Sequence, residues 1–199
     1  MTPFKETIDK EALKEMPKAL FTGEITLVQS AEAARSAVDF LRAEATEVGI
    51  DSETRPSYIK GQLHKVALLQ VATLTHCFLF RLNLIGLTPD VIWLLETPTL
   101  LKVGLSLRDD FLMLHKRAPF TPGACIDLQD MVRGFGIEEK SLQKIYGILF
   151  GEKISKGQRL TNWEAQTLTE PQMRYAATDA WACLRIYHLL QQRSTCTHG

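Results

Sequence analysis

Three strand-patterned segments follow one another with no helix between them, and this restricts the fold more than any other feature of the chain. Lys65–Thr73 and Cys77–Leu82 are rich in Val, Leu and Phe, and Val48–Glu53 carries Val and Ile at alternate positions. Only Leu74–His76 separates the last two, a spacing that predicts an antiparallel hairpin. A strand over Glu24–Gln29 and a helix over Ala31–Ala43 precede them. Beyond Leu82 the order changes to a helix at Pro89–Glu96, a strand at Lys102–Leu107, a helix at Asp109–Lys116 and a strand at Cys125–Leu128. Helices over Ser141–Phe150 and Pro171–Gln192 follow. Consecutive strands succeeded by alternating units predict an α/β fold, a mixed β-sheet with helices on its faces.

The chain has 199 residues, 45% of them hydrophobic, enough for one core, and shows no internal repeat or low-complexity segment. We read a leader over residues 1–22, a single domain over 23–193 and a tail over 194–199. In the leader, Ile8, Leu13, Met16 and Leu20 have the spacing of a short amphipathic helix interrupted near Pro17, able to dock on the domain or on a partner. Thr169 and Gln172 form a capping box for the final helix, with Pro171 in its first turn. The segment Gly151–Leu168 before it is a polar loop of a length that is more often functional than idle.

Lys plus Arg and Asp plus Glu number 23 each, so the formal net charge is zero. This argues against a partner held mainly by bulk positive charge on the chain, as in a histone-like or polybasic membrane binder. No uncharged run approaches the roughly 18 to 20 residues of a membrane span. Met1–Ala19 mixes acids and bases where a signal peptide would be apolar, so a cytoplasmic protein without membrane attachment is expected. Cys77, Cys125, Cys183 and Cys196 are too far apart for a C-x-x-C motif and are expected to be reduced thiols. The five histidines show no zinc-hydrolase spacing and are assigned surface or structural roles.

Three acidic constellations carry the chemistry. Asp51 and Glu53 lie at i and i+2 of a strand and project from one face, a costly pairing without a counter-ion. The plain alternative is a solvated strand end paired with Arg55. Tyr175 and Asp179 are four apart on a helix, so a phenol and a carboxylate address one point. Asp109 and Asp110 sit at a strand-helix junction, where acids also complement the helix dipole. Brought together, such carboxylates hold hard divalent cations through oxygen.

Ile50-Asp51-Ser52-Glu53-Thr54-Arg55-Pro56, the segment Lys102–Leu114 and Tyr175-Ala176-Ala177-Thr178-Asp179, with Thr161–Glu164 upstream, form a recognisable set. The chain resembles the DEDDy branch of the DnaQ-like 3′-to-5′ exonucleases, in the group of ribonuclease D and the Werner syndrome exonuclease domain, over about Gly23–Gln192. The histidine variant of the superfamily would carry His where Arg174 stands, so the resemblance is to the tyrosine type. Ser106 departs from the Asn often found upstream of the second motif, and the neighbouring Asp109 leaves the choice of Asp110 open.

The resemblance implies a ribonuclease H-like fold and an enzyme releasing nucleoside 5′-monophosphates from a free 3′ end. It implies two divalent cations, Mg²⁺ or Mn²⁺, on Asp51, Glu53, Asp110 and Asp179. Tyr175, as a phenol of pKa near 10, suits orienting water better than acting as a base. Thr54, Lys156, Arg159 and Trp163 are candidate substrate contacts, with Trp163 open to two readings, a base-stacking surface or, favoured, a buried anchor. Gln70 is assigned a structural role. DNA is slightly preferred as substrate because ribonuclease D usually carries further C-terminal helical domains. RNA trimming and a non-catalytic nucleic-acid scaffold are the alternatives, and a helicase is a possible partner.

Overall fold

The computed structural model describes residues 3–59 and 61–195. Its sheet comprises β1 (Glu24–Val28), β2 (Glu47–Thr54), β3 (Val66–Ala72), β4 (His76–Phe80), β5 (Leu101–Gly104) and β6 (Cys125–Asp127), in the order β1-β4-β3-β2-β5-β6. β3 pairs antiparallel with β2 and β4, while the other pairs are parallel, so β3 alone runs against the remaining strands. The hairpin is closed by Thr73, whose Oγ1 accepts from the backbone N–H groups of Thr75 and His76 at 3.2 and 2.9 Å. The expected mixed sheet is present, with helices on both faces.

On one face, α2 (Ala31–Glu44), α4 (Pro89–Glu96) and α5 (Leu107–Leu114) bury Val38, Leu41, Leu94 and Phe111 against Val48, Ile50 and Val71. On the other, the long α8 (Glu170–Thr195) crosses β2 and β3, flanked by α6 (Leu128–Arg133) and α7 (Leu142–Phe150). Alternation in β2 sends Val48 and Ile50 to the first face and therefore Gly49, Asp51 and Glu53 towards α8. The capping box forms as read: Gln172 N–H donates to Thr169 Oγ1 at 3.3 Å, and Thr169 N–H to Gln172 Oε1 at 2.9 Å.

The leader contains α1 (Lys10–Glu15) and packs on α7. A Cβ on Gly147 would lie 2.6 Å from Leu13 Cδ1 and 3.4 Å from Met16 Sδ, so the bare glycine leaves room for the leader. A glycine inside a helix costs about 0.5–1 kcal/mol relative to alanine, which the buried contact must offset.

Local chemistry moves several expected boundaries. β4 ends at Phe80, and Leu82 opens a short helix, α3 (Leu82–Ile85). β5 ends at Gly104 because Ser106 adopts φ +61° and turns the chain into α5 two residues before Asp109. Leu128 starts α6 and is not part of β6, since Asp127 caps that helix by accepting from Gln129 N–H at 2.9 Å. α8 runs to Thr195, into the expected tail, whose residues 196–199, with Cys196 and His198, lie outside the described residues. Cys77, Cys125 and Cys183 are free thiols. Among the described residues no helix is long and apolar enough to cross a membrane.

Candidate active site

α8 lies directly on β2 because Gly49 has no side chain. A Cβ there would stand 1.9 Å from the carbonyl oxygen of Ala180, an impossible contact. The close approach sets Asp179, the residue before Ala180, over Asp51, two residues beyond Gly49. One carboxylate oxygen from each of Asp51, Glu53 and Asp179 falls within a group no more than 4.8 Å across. Tyr175, one helical turn before Asp179, donates its hydroxyl to that carboxylate. Two motifs more than 120 residues apart thus meet at one point.

The energetic consequence is mutual repulsion in a poorly solvated place. Burial, then the charge of Asp179, pushes Asp51 up to about 8. Glu53 is raised to about 10, first by burial and then by Asp51, Asp179 and Asp110, with only Arg159 opposing. Burial raises Asp179 to about 7 despite the stabilising bond from Tyr175. The Tyr175 hydroxyl is driven far above its ordinary value by burial and by Asp179 and Glu53, so it stays a hydrogen-bond donor at any working pH.

Asp110 joins from the opposite side of β2. Its Oδ1 accepts a hydrogen bond from Ser52 Oγ at 2.5 Å. It is raised to about 8 by burial and by Asp51. Asp109, by contrast, is exposed. The phase that turns Asp110 inward is held by Asp127, whose carboxylate accepts from Ser106 N–H at 3.1 Å and Leu107 N–H at 2.8 Å. One side chain at the end of β6 therefore fixes the start of α5 as well as that of α6. Neither Asp127 nor Ser52 was singled out from the sequence. Ser52 was readable as facing away from Asp51, but its partner comes from 58 residues later.

A sequence profile described as 3′-5′ exonuclease matches residues 25–194. The chain belongs to the 3′-5′ exonuclease family. A 3′-5′ exonuclease of Arabidopsis thaliana is 32% identical over 158 residues, 76% of this chain and 55% of the relative. The bifunctional 3′-5′ exonuclease/ATP-dependent helicase WRN of Mus musculus is 29% identical over 201 residues, 95% of this chain and 14% of that protein. The chain thus spans about half of the first relative and a small part of the second. The crystal structure of Escherichia coli RNase D superposes with a TM-score of 0.77 at 21% identity, covering 88% of this chain and 46% of that one, which shows a shared fold.

Around the acidic cluster, the candidate substrate contacts separate. Thr54 follows the β-bulge that ends β2 and is half-buried. Arg159 is exposed yet close enough for its charge to act on Glu53, and Lys156 is exposed one turn earlier. Trp163 takes the favoured of its two readings, a buried anchor, and the base-stacking role is the one corrected: it is fully buried, its ring 6.0 Å from that of Tyr175, and offers no surface to a base. It anchors the segment before α8, with Arg81 donating to Ala165 O at 2.5 Å and Gln172 to Thr161 Oγ1 at 3.0 Å.

Gln70 lies directly across from Asp51 in β3, fully buried, and neither its amide nitrogen nor its oxygen has a partner among the described residues. Of the described histidines, His76, His115 and His188 make structural contacts, with Glu24, with the carbonyls of Phe111 and Phe120, and with Glu47 respectively.

Proposed function

We propose that this chain is a metal-dependent exonuclease that hydrolyses the terminal phosphodiester at the 3′ end of a polynucleotide, with DNA as the first substrate. The observation that carries the proposal is the meeting of Asp51, Glu53 and Asp179 within 4.8 Å, with Asp110 beside them and, among the described residues, Arg159 as the cation acting on Glu53. Hard oxygen donors with uncompensated negative charge fit Mg²⁺ or Mn²⁺. Asp51, Glu53 and Asp179 would hold one ion, and Asp51 with Asp110, the latter through water, a second. Bound there, the ions would supply positive charge against the scissile phosphate and acidify a water molecule.

The remaining work falls to the protein's own groups. Tyr175 would turn its single hydroxyl proton from Asp179, once that carboxylate is committed to a metal, to the attacking water and so aim it. The water oxygen bonds to phosphorus as the bond from phosphorus to the upstream 3′-oxygen breaks, leaving a nucleoside 5′-monophosphate and a new 3′-hydroxyl. Thr54, Arg159 and Lys156 steady the strand. Ser52 and Asp127 are positioning residues that keep Asp110 turned towards Asp51. The mouse relative combines exonuclease and helicase in one chain, and we extend the proposal to a helicase or similar nucleic-acid-processing partner for this one. The likeness to RNase D favours a second reading, in which the strand is RNA.

The test is release of mononucleotides from 3′-labelled single strands of matched DNA and RNA. Wild type should release them with Mn²⁺ and not with chelator, and Asp51→Ala should release none. Binding of the strand without release under any metal would reduce the chain to a scaffold.

A further inference from the structure

A second concentration of charge lies outside the acidic centre and has the opposite sign. Lys10, Lys14, Lys144, Lys153 and Lys156 line one groove of about 360 Å³ between α1, α7 and the segment after α7, with Leu13 and Ile154 among its apolar walls. Among the described ion pairs, Lys144 is matched by Glu139 and Lys14 by Glu11, while Lys10, Lys153 and Lys156 have no acid partner. For a chain with zero formal net charge, that is a local excess.

The groove is built, not incidental. Its α1 wall is seated at Gly147, where any side chain would collide with Leu13. The leader is also stitched to the segment after α7: Lys153 N–H donates to Pro17 O at 2.8 Å, Ala19 N–H to Lys153 O at 2.9 Å, and the Lys153 ammonium to Lys14 O. One groove residue, Lys156, lies one turn from Arg159. Arg159 N–H donates to Lys156 O at 3.3 Å, so these two cations share one turn, and Arg159 acts on Glu53.

We propose that this groove holds the phosphates of the single strand upstream of its 3′ end, so that the N-terminal leader is part of the substrate-binding surface. The proposal rests on the exonuclease reading for the direction of the strand. Lysine ammonium groups neutralise phosphates while their aliphatic stems and Leu13 offer an apolar floor to sugars and bases. An acidic peptide would match the charge equally, but continuity with Arg159 and the acidic centre favours the strand, which must leave the site along some path.

The test compares wild type with Lys10→Gln/Lys14→Gln, two exposed positions away from the acidic centre. Binding of fluorescein-labelled oligothymidylates of 5 and 30 nucleotides is measured by anisotropy in chelator, across a salt series. Wild type should prefer the longer strand. The double variant should bind it about five- to tenfold more weakly, with the log–log salt slope reduced by about 1.4, at roughly 0.7 per lost contact. Its kcat/KM on the pentamer should stay within twofold of wild type.

Equal affinity and equal salt slope in the two proteins would overturn the groove assignment and leave the nuclease reading untouched. Length-dependent binding that the variant loses, without cleavage by either protein, would sustain the groove and sink the nuclease reading. Displacement by polyglutamate with no preference for the longer strand would assign the groove to a peptide, against the proposal.

Discussion

Asp51 and Asp179 are carried by two elements that touch backbone to backbone at Gly49 and Ala180, whereas Arg159 and Lys156 stand on a segment pinned to the core through separate anchors, among them Ile154, Trp163, Leu168 and a few hydrogen bonds. The first region buries like charges where water cannot screen them, and the positions of its side chains are set by packed main chain. In the second, the cations are exposed and solvated, so each counts for little alone. The contrast teaches a division of labour. Groups that must meet to a fraction of an ångström sit on a β-strand and a long helix, and groups that need only follow a flexible strand sit on the connecting segment.

The largest effect should come from the centre. Asp51→Asn removes a charge shared by both proposed metal positions, and we expect kcat to fall by about 10³-fold or more, several kcal/mol of transition-state stabilisation. The fold should survive, because the site is repulsive without metal, and circular dichroism with a Mn²⁺ titration separates the two effects. Gly49→Ala comes next. Its methyl must displace Ala180, which should destabilise the protein by about 1–3 kcal/mol and lower activity about 10²-fold by shifting Asp179. Retained activity in Gly49→Ala would break the argument that main-chain contact positions the acids.

Tyr175→Phe deletes one hydrogen bond to the attacking water and should lower kcat about tenfold, with KM little changed. A loss as large as that of Asp51→Asn would make the phenol more than a positioning donor. The acids also make a stability prediction. Their folded pKa values lie above the unfolded ones near 4, so the contribution is fully present below about pH 4 and is lost as pH rises through about 7 to 8 for Asp179, Asp51 and Asp110. The metal-free protein should therefore melt at lower temperature at pH 8 than at pH 5. Mg²⁺ should recover stability at pH 8 by about 2.7 kcal/mol at a hundredfold excess over its Kd. The smallest effect is expected in the second region, where Arg159→Gln should raise KM a few-fold and leave kcat within about twofold.

Much of the fold could be read because it depends on short-range pattern. The hairpin from β3 to β4, the capping box of α8 and the alternation that turns Asp51 and Glu53 one way are each encoded within a few neighbouring residues. The boundaries that moved are those set from a distance. β5 stops and α5 starts early because Asp127 captures the N–H groups of Ser106 and Leu107 from 20 residues away, and Ser106 takes a left-handed conformation to allow it. The same contact chose Asp110 over Asp109: successive helical residues are turned by about 100°, so the residue at which a helix begins decides which acid faces inward.

Residue types and local spacing paired Asp51 with Glu53 and Tyr175 with Asp179, since i, i+2 on a strand and i, i+4 on a helix are geometric facts of the backbone; joining the two pairs into one set rested on the resemblance to the DEDDy exonucleases. Types and spacing could not say which ring Trp163 would pack against, that Gln70 would sit without a partner among the described residues across from Asp51, or that the leader would fold onto Gly147. Each of those outcomes depends on which surfaces come into contact once the chain has closed, and contact between residues far apart in sequence leaves no periodic trace along it. The zero net charge is the clearest case: it sums to nothing over the chain, while folding gathers four acids at one point and five lysines along one groove.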